Sequence, residues 1–346
     1  MVKEFDYLVY IGRFQPLHNG HLDVLRRALD KADKVVVVTG SGRRARNIKN
    51  PFSDSERAQM IAASVKAMDE SAAERLVFCP VRDYYNNDKW VAAVKKAVAG
   101  IAGADAAIGI IGHLKDASSY YLHEFPDWRL VHEENVDGLN ATDLRQCLFS
   151  ETSDPKAWER LAHAVPPAVL AFLKDFRESP PFADLAGEFA AVEKSRATWA
   201  VAPYPPVFVT VDAVVRCNGH VLLIRRGGYP GRGQWALPGG FVEQDERLQD
   251  AAIRELAEET GCALRYDALR NAIAGLAVFD DPNRSVRGRT ITHAFFFDLG
   301  TRAFPAVAAA DDAAEARWFP VASLRDMETD IFEDHLHIMD SFLKIL

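Results

Sequence analysis

The sequence has few cysteines, no long apolar run and no excess of positive charge. Its cysteines are Cys79, Cys147, Cys217 and Cys262. No two of them form a Cys-x-x-Cys pair, which excludes the usual spacing of a zinc ribbon or a dithiol redox centre. No stretch approaches about 18 consecutive apolar residues, and charged residues recur too often in the N-terminal segment for a signal peptide. We therefore expect a cytoplasmic protein with no membrane partner.

The charge balance also limits the class of partner. Lys and Arg number 41 against 49 Asp and Glu, a net charge of −8, which argues against a protein that mainly coats nucleic acid. Small molecules are the expected partners. A length of 346 residues and a hydrophobic fraction of 49% are typical of a globular chain with two domains.

The first half of the chain alternates buried strands with helices. Apolar runs at 8–11, 35–38, 76–81 and 106–111 predict strands buried on both faces, followed by a strand at 129–133. Helices are predicted at 141–149, 155–164 and 167–176. This alternation predicts a Rossmann-like, doubly wound parallel sheet over residues 1–180, with ligands at the carboxyl ends of the strands.

The second half has a different pattern. Strands are predicted at 207–215, 221–224, 272–279 and 290–297 around one helix at 247–260, which indicates an α+β domain over residues 207–346. Prolines border the segment between the two halves, at 180–181 and 203–206. We expect a linker there, at 181–206, with a helical middle part.

A chemical motif follows the first strand directly. It runs Gly12-Arg13-Phe14-Gln15-Pro16-Leu17-His18-Asn19-Gly20-His21 and leads into a helix. A junction from strand to helix presents backbone N–H groups and the positive end of the helix dipole, where a polyphosphate can bind. Histidines three residues apart at the helix entrance can face the same anion.

This motif resembles the His-x-Gly-His signature of the nucleotidyltransferase superfamily, and specifically the Gly-Arg-Phe-Gln-Pro-x-His-x-Gly-His form of nicotinamide-mononucleotide (NMN) adenylyltransferases. The resemblance continues to about residue 175 and includes segments at 50–57, 83–90 and 140–145. It implies attack by the NMN phosphate on the α-phosphorus of ATP, giving NAD and pyrophosphate. Such transfer needs positioning and positive charge and no protein nucleophile.

The same resemblance implies the roles of individual residues. The residues expected to act on phosphate during transfer are His18, His21 and Arg145. The expected substrate-binding residues are Gly12, Arg13, Phe14, Gln15, Arg57, Asn87, Trp90, Asn140 and Thr142. Arg13 and Arg57 would bind phosphate oxygens, whereas Asn87 and Trp90 would hold the nicotinamide ring. Asn140 stands where the family has Ser, and either residue can cap a helix.

Two features of this half have alternative interpretations. Trp90 begins an amphipathic helix and is equally typical of a core residue. The segment 40–45 matches the dinucleotide pattern Gly-x-Gly-x-x-Ala, but no helix pattern continues from it. Its basic residues Arg43, Arg44 and Arg46, with Lys49, belong either to a mobile loop near the phosphates or to a solvated surface loop.

The second motif is Gly240-x5-Glu246-x7-Arg254-Glu255-Leu256-x-Glu258-Glu259-x-Gly261. Its last three glutamates are three and four residues apart, so one helix face collects their carboxylates, which favours a divalent cation between them. Oxygen ligands of this kind suit Mg²⁺ or Mn²⁺.

The motif resembles the box of Nudix hydrolases over about residues 207–320, and the segment 225–243 is most similar to members that hydrolyse ADP-ribose. The resemblance implies that Glu258 and Glu259 are catalytic metal ligands. The further ligands that it implies are Glu255 and the carbonyl of Gly239, and the further substrate-binding residues are Arg225 and Gly240. Arg254 would orient the glutamates. Glu315 is a candidate base, with a packing role as the alternative.

We therefore interpret the chain as a bifunctional enzyme of NAD metabolism. The expected ligands are ATP, NMN, NAD, ADP-ribose and Mg²⁺ or Mn²⁺, without nucleic acid. Hydrolysis of ADP-ribose would give AMP and ribose 5-phosphate. The alternatives for the second domain are another substrate, such as NADH, an oxidised nucleotide or a dinucleoside polyphosphate, or an ADP-ribose sensor without hydrolysis. The oligomeric state stays open, and a homo-oligomer is compatible with the sequence.

Overall fold

The computed structural model describes residues 3–103, 105–113, 117–133, 139–150 and 156–346. The chain forms two compact units, Met1–Ala186 and Gly187–Leu346. The boundary between them falls inside one helix and not at a proline-rich border. Among the helices of the described residues, none has the length and apolar character needed to cross a membrane.

The first unit contains a five-stranded sheet in which all the neighbouring strands are parallel. The strands are β1 (Phe5–Gly12), β2 (Ala32–Thr39), β3 (Leu76–Pro80), β4 (Ile108–His113) and β5 (Arg129–Glu133), in the order β3-β2-β1-β4-β5. The strand order changes direction at β1, so a crevice for ligands forms at the carboxyl end of this strand. The predicted α/β class with a parallel, Rossmann-like sheet is confirmed.

Helices cover this sheet and extend beyond it. They are α1 (Asn19–Lys31), α2 (Asp54–Met68), α3 (Glu70–Ala73), α4 (Asn87–Ala102), α5 (Ala141–Phe149), α6 (Ala157–Ala164) and α7 (Pro167–Arg177), with a 3₁₀ helix at Ala117–Glu124. The next helix, α8 (Pro180–Trp199), begins in this unit and ends in the second. The core under α4 consists of fully buried Val9, Val36 and Ile110 from the strands, packed with Val94 and Val98 of the helix. Because both faces of the sheet bury such β-branched side chains, each strand is a continuous apolar run in the sequence.

The second unit contains a seven-stranded mixed sheet. Its strands are β6 (Val207–Cys217), β7 (His220–Arg226), β8 (Trp235–Ala236), β9 (Gly239–Phe241), β10 (Ile273–Phe279), β11 (Arg289–Asp298) and β12 (Ala313–Pro320). The main path is β10-β11-β6-β7-β12, while β8 pairs with β7 and β9 with β6. Only β6 and β11 are parallel among the described pairs. The predicted α+β class of this domain is confirmed.

The helices of the second unit are α9 (Leu248–Thr260), α10 (Tyr266–Asn271) and α11 (His335–Leu343), with 3₁₀ helices at Val321–Ser323 and Glu328–Asp330. The apolar face of α9 packs Ala252 and Leu256 against Val211, Ala213 and Phe297 of the sheet. This packing fixes the glutamates of α9 beside β9, where Glu259 accepts a hydrogen bond from the Gly239 N–H.

Candidate active sites

The loop between β1 and α1 is held in shape by close packing. A Cβ atom on Gly12 would lie 2.7 Å from the Phe14 ring, so this position requires glycine. Gln15 is 1% exposed. Its Nε2 donates a hydrogen bond to the Phe52 carbonyl at 2.8 Å, and its Oε1 accepts one from the Phe52 N–H at 2.9 Å. The loop is thereby fastened to the segment that precedes α2.

His18 and His21 cap α1 together. The Nδ1 atom of His18 accepts a hydrogen bond from the His21 N–H, and Nδ1 of His21 accepts from the His18 N–H, each at 3.4 Å. The rings stack with centroids 3.6 Å apart. This arrangement corresponds to the tautomer with the proton on Nε2 and places both rings at the positive end of the helix dipole, which favours an anion.

Arg145 reaches this loop from α5. Asn140 begins that helix by accepting a hydrogen bond from the Asp143 N–H at 2.9 Å. Arg145 donates from Nη1 to the Gln15 carbonyl at 2.8 Å and from Nη2 to Thr142 Oγ1 at 3.0 Å. Burial, with a smaller effect from the nearby charge of Arg13, lowers the pKa of Arg145 to about 10. Two cations held close together in this way favour a polyanionic ligand.

Arg57 differs from the phosphate-binding residue that the sequence suggested. Its side chain is 1% exposed, and Nη1 donates to the carbonyls of Arg13 at 2.8 Å and Gly40 at 2.7 Å. Its other terminal nitrogen is hydrogen-bonded to Asp54. The guanidinium therefore holds two loops of the protein together, because both of its terminal nitrogens donate to protein oxygens. Burial lowers its pKa.

Trp90 lies in the first turn of α4 and is half-buried. Its ring meets Tyr121 edge-on with centroids 6.2 Å apart, and Phe125 at 5.9 Å. The Tyr121 hydroxyl lies 3.4 Å from the Ile11 carbonyl, which places this aromatic group near the carboxyl end of β1. Trp90 thus combines partial packing with a position at the crevice. Asn87 lies one turn earlier on the same helix.

The basic loop after β2 is tied to acidic residues. Ser41 donates from Oγ to Asp83 at 2.8 Å, and Arg44 forms an ion pair with the same carboxylate at 3.2 Å. Arg46 binds Glu56 through two hydrogen bonds, at 2.6 and 2.9 Å. Arg44 and Arg46 are therefore ion-paired within the protein, and both interpretations of this loop stay predictions.

In the second unit, Arg254 organises the glutamates of α9. It donates to Glu246 at 2.6 and 3.0 Å, and its Nη1 donates to Glu255 at 3.0 Å and Glu258 at 2.8 Å. The hydrogen bonds to Glu246 are the main cause that raises the pKa of Arg254. Within the described ranges, no three His, Cys, Asp or Glu side chains are grouped as a metal site.

Glu259 lies deeper than the other two glutamates. It is 5% exposed, and its Oε2 accepts a hydrogen bond from the Gly239 N–H at 2.8 Å. Burial raises the pKa of Glu259 to about 8. A Cβ atom on Gly240 would lie 2.4 Å from Glu255 Oε1, so the glycine allows β9 to approach the carboxylates. The adjoining carboxylates, of which Glu259 is the most buried, provide the oxygen donors that a hard cation prefers.

Glu255 and Glu259 line a cavity of about 510 Å³ together with Arg254. Arg226 and Arg287 line it as well, whereas Arg225 is exposed and donates from Nε to the Gly233 carbonyl at 3.0 Å. This differs from the substrate contact expected of Arg225, because successive residues of a strand point to opposite faces. Burial lowers the pKa of Arg226 to about 10.

Glu315 does not line this cavity. It lies on β12 opposite Arg225, and two aspartates of the preceding loop, Asp311 and Asp312, line the cavity in its place. Asp311 contributes to the raised pKa of Glu255, for which burial is the main cause. Asp311 and Asp312 are thus two further carboxylates at the cavity, and the base stays a prediction. Sequence spacing contained no signal for these aspartates, since they lie outside the glutamate motif.

Comparisons with known proteins agree with the two sites. The family model described as Cytidylyltransferase-like matches residues 9–146, and the NUDIX domain model matches 206–342. A nicotinamide/nicotinic acid mononucleotide adenylyltransferase from Acinetobacter baylyi is 38% identical over 193 residues, which are 56% of this chain and 97% of that protein. An ADP-ribose pyrophosphatase from Methanocaldococcus jannaschii is 36% identical over 132 residues, 37% of this chain and 72% of that protein.

Crystal structures of one protein match along nearly the whole chain. It is a bifunctional NMN adenylyltransferase/ADP ribose pyrophosphatase from Francisella tularensis, complexed with AMP and a Mn ion. The identity is 37% and the TM-score 0.88, with 98% of this chain and 99% of that chain covered.

Proposed function

The chain belongs to the family of bifunctional NMN adenylyltransferase/ADP-ribose pyrophosphatases, and we propose that it makes NAD from ATP and NMN in its first unit and hydrolyses ADP-ribose in its second. The observation that carries this proposal is that one chain contains both sets of groups. The His18–His21 pair lies with Arg145 at the first loop, and Glu255 and Glu259 of α9 line a cavity of about 510 Å³ together with Arg254.

In adenylyl transfer the 5′-phosphate oxygen of NMN forms a bond to the α-phosphorus of ATP, and the bond to pyrophosphate breaks. We assign His18 and His21 to the triphosphate, because their rings lie at the N-terminus of α1. Arg145 is preorganised by its bond to the Gln15 carbonyl and offsets charge on the leaving group. Asn140 and Thr142 support the entrance of α5 that carries Arg145.

Other residues shape the NMN side of this site. Gly12, Phe14 and Gln15 set the path of the loop, and Arg13 adds positive charge beside Arg145. Arg57 is a positioning residue, since it holds the carbonyls of Arg13 and Gly40. Trp90 and Asn87, on the first turn of α4, bind the nicotinamide ring in this proposal. The half-buried ring of Trp90 is compatible with such a stacking contact.

In the second reaction a water oxygen bonds to one phosphorus of ADP-ribose, and the diphosphate bridge breaks to give AMP and ribose 5-phosphate. Carboxylates of Glu255, Glu258 and Glu259 and the Gly239 carbonyl would hold Mg²⁺, with Mn²⁺ as the alternative. When bound, such a cation offsets diphosphate charge and promotes ionisation of water. Burial, with a smaller effect from the neighbouring Glu255, raises the pKa of Glu259, and a bound cation would stabilise both carboxylates in their ionised form.

The protein's own residues complete the hydrolase site. Arg254 fixes the orientation of the glutamates through four hydrogen bonds to three carboxylates. Arg226 and Arg287 line the cavity and supply positive charge for the diphosphate. Gly240 has no side chain and so leaves space for the diphosphate next to Glu255 of α9. We propose Arg226 for the contact that the sequence had suggested for Arg225.

Both activities are tested on the purified full chain. Incubation with ATP, NMN and Mg²⁺ should form NAD and pyrophosphate, and incubation with ADP-ribose should release AMP with Mg²⁺ or Mn²⁺ and none in EDTA. A chain that forms no NAD contradicts the first assignment. Binding of ADP-ribose without turnover in any divalent cation would contradict the second and identify a sensor. We also propose that the enzyme acts in the cytoplasm, where both substrates of NAD synthesis are small soluble molecules.

A further inference from the structure

The C-terminal half of α8 belongs to the second compact unit, although the NUDIX model begins only at residue 206. Five residues of this half lie at positions i, i+3, i+4, i+7 and i+11 of the helix. They are Glu188, Ala191, Val192, Ser195 and Trp199. In a helix this spacing places them on one face.

This face is fastened to the hydrolase domain along its length. Glu188 is 4% exposed, and its Oε2 accepts a hydrogen bond from the Gly231 N–H at 3.0 Å. A Cβ atom on Gly187 would lie 2.6 Å from the Tyr229 hydroxyl, so helix and loop are in close contact. At the other end, the rings of Trp199 and Phe208 have centroids 5.5 Å apart.

The middle of the same face lines the hydrolase cavity. Ala191, Val192 and Ser195 share the cavity of about 510 Å³ with Glu255 and Glu259. The loop that Glu188 holds, between β7 and β8, also lines it through residues 227–230. The helix is therefore one wall of the space in front of the metal-binding carboxylates.

We propose that residues 187–199 form a substrate-selecting wall of the hydrolase, in which Ser195 determines the space for substrate and Glu188 positions the loop at 227–230. This inference rests on the proposed hydrolysis of ADP-ribose. Small side chains at Ala191 and Ser195 leave room between the helix and the glutamates. Glu188 accepts the hydrogen bond of the buried Gly231 N–H, and removal of this acceptor would let the loop move.

Ser195 is tested with Ser195→Trp and Ser195→Asp in the full chain. The first fills the cavity, and the second places a negative charge against the diphosphate. The matched controls are Ala197→Trp and Ala197→Asp, because Ala197 is an exposed small residue on the opposite face of the same helix. We expect both Ser195 variants to raise the Kd for ADP-ribose, measured calorimetrically in EDTA, and the KM for hydrolysis by about 10-fold or more. Both control variants should stay within about twofold of wild type, within the spread of ordinary surface substitutions.

If the Ser195 variants and the Ala197 variants have the same Kd for ADP-ribose and the same melting temperatures, the proposal of a substrate-selecting wall is wrong. Ser195→Asp keeps this outcome decisive if the tryptophan variant does not fold. Wild-type chain that binds ADP-ribose but releases no AMP would contradict the proposed hydrolysis alone. Wild-type chain that binds no ADP-ribose would contradict both.

The positioning role of Glu188 is tested by whether its substitution changes KM, kcat or both. Glu188→Ala should raise KM while kcat stays close to wild type, because the carboxylates and the attacking water are not displaced. Glu188→Gln should restore the wild-type KM, since its amide oxygen can accept the same N–H. A loss confined to kcat, or equal KM changes in both variants, would overturn the positioning role.

Discussion

Arg145 and Gln15 are 130 residues apart along the chain, and a 2.8 Å hydrogen bond joins the Arg145 guanidinium to the Gln15 carbonyl. The bond fixes the position of a cation from α5 against the loop that carries both histidines. A second bond to Thr142 uses the opposite terminal nitrogen. This forked contact is available to arginine and not to lysine.

Arg145→Lys should therefore lower the rate of NAD synthesis although it keeps the positive charge. We expect a fall of about 100-fold in kcat/KM, the usual effect of removing one preorganised group that stabilises transition-state charge. The measurement is steady-state formation of NAD from ATP and NMN. Hydrolysis of ADP-ribose by the same preparation serves as the control and should not change. Equal rates for Lys and Arg would show that charge alone is sufficient at this position.

His18 has two roles that one substitution can separate. Its side chain caps α1, and its ring is assigned to the triphosphate. His18→Asn keeps a good capping residue but removes the ring. We expect a melting temperature near that of wild type and a loss of NAD synthesis of about 100-fold or more. His21→Ala should give a similar loss of activity. Near-normal synthesis by the double variant would contradict the assignment of both rings.

Replacement of Arg57 should lower the free energy of unfolding and leave substrate binding nearly unchanged. Arg57→Ala leaves two backbone carbonyls and Asp54 without their partner in a site that is 1% exposed, and we expect a cost of about 3 kcal/mol. Chemical unfolding of the full chain measures this cost. In the folded fraction the KM for ATP should change little. A phosphate-binding arginine would show the reverse, with unchanged stability and a raised KM.

The glutamates of α9 separate an enzyme from a sensor. Glu258→Gln and Glu259→Gln keep side-chain size and helix propensity but remove a negative ligand, so each should lower AMP release from ADP-ribose by more than about 100-fold. A control is Asp267→Asn, an acidic residue on α10 whose side chain is 76% exposed. Adenylyl transfer should be normal in all three variants. Full hydrolysis by both glutamine variants would exclude these carboxylates as metal ligands.

His335 gives the second unit a pH-dependent stability. It is buried, its Nδ1 accepts a hydrogen bond from the Leu237 N–H at 2.9 Å, and burial lowers its pKa below the ordinary value. The charged groups that face it are Asp212, Asp334, Glu333 and Arg284. Because the unfolded chain takes up the proton first, the stabilisation is complete above a pH of about 6.5 and is lost as the pH falls below it.

His335→Asn removes this titration and retains an acceptor for the Leu237 N–H. The difference in free energy of unfolding between pH 7.5 and pH 5.5 should be smaller in the variant than in wild type. Urea unfolding at the two pH values measures it. The same pH dependence in both proteins would mean that another group is responsible.

Local patterns in the sequence were sufficient for both kinds of fold and for the centre of each site. The alternation of apolar runs with helical spacing predicted the five parallel strands, because burial on both faces leaves a direct signal in each strand. The histidines of α1 and the glutamates of α9 lie within one or two helical turns of one another, so their sequence spacing already determines which of them are neighbours.

Only the tertiary structure decided which distant groups complete those centres. Arg57 turns towards the protein's own carbonyls, Arg226 and not Arg225 lines the cavity, and Asp311 occupies it where Glu315 does not. The wall contributed by Ser195 lies outside the segment that the Nudix resemblance covers. Each of these facts depends on strand register or on contacts between segments far apart in the chain. Side-chain direction and burial at such contacts are set by packing, which a local sequence pattern does not contain.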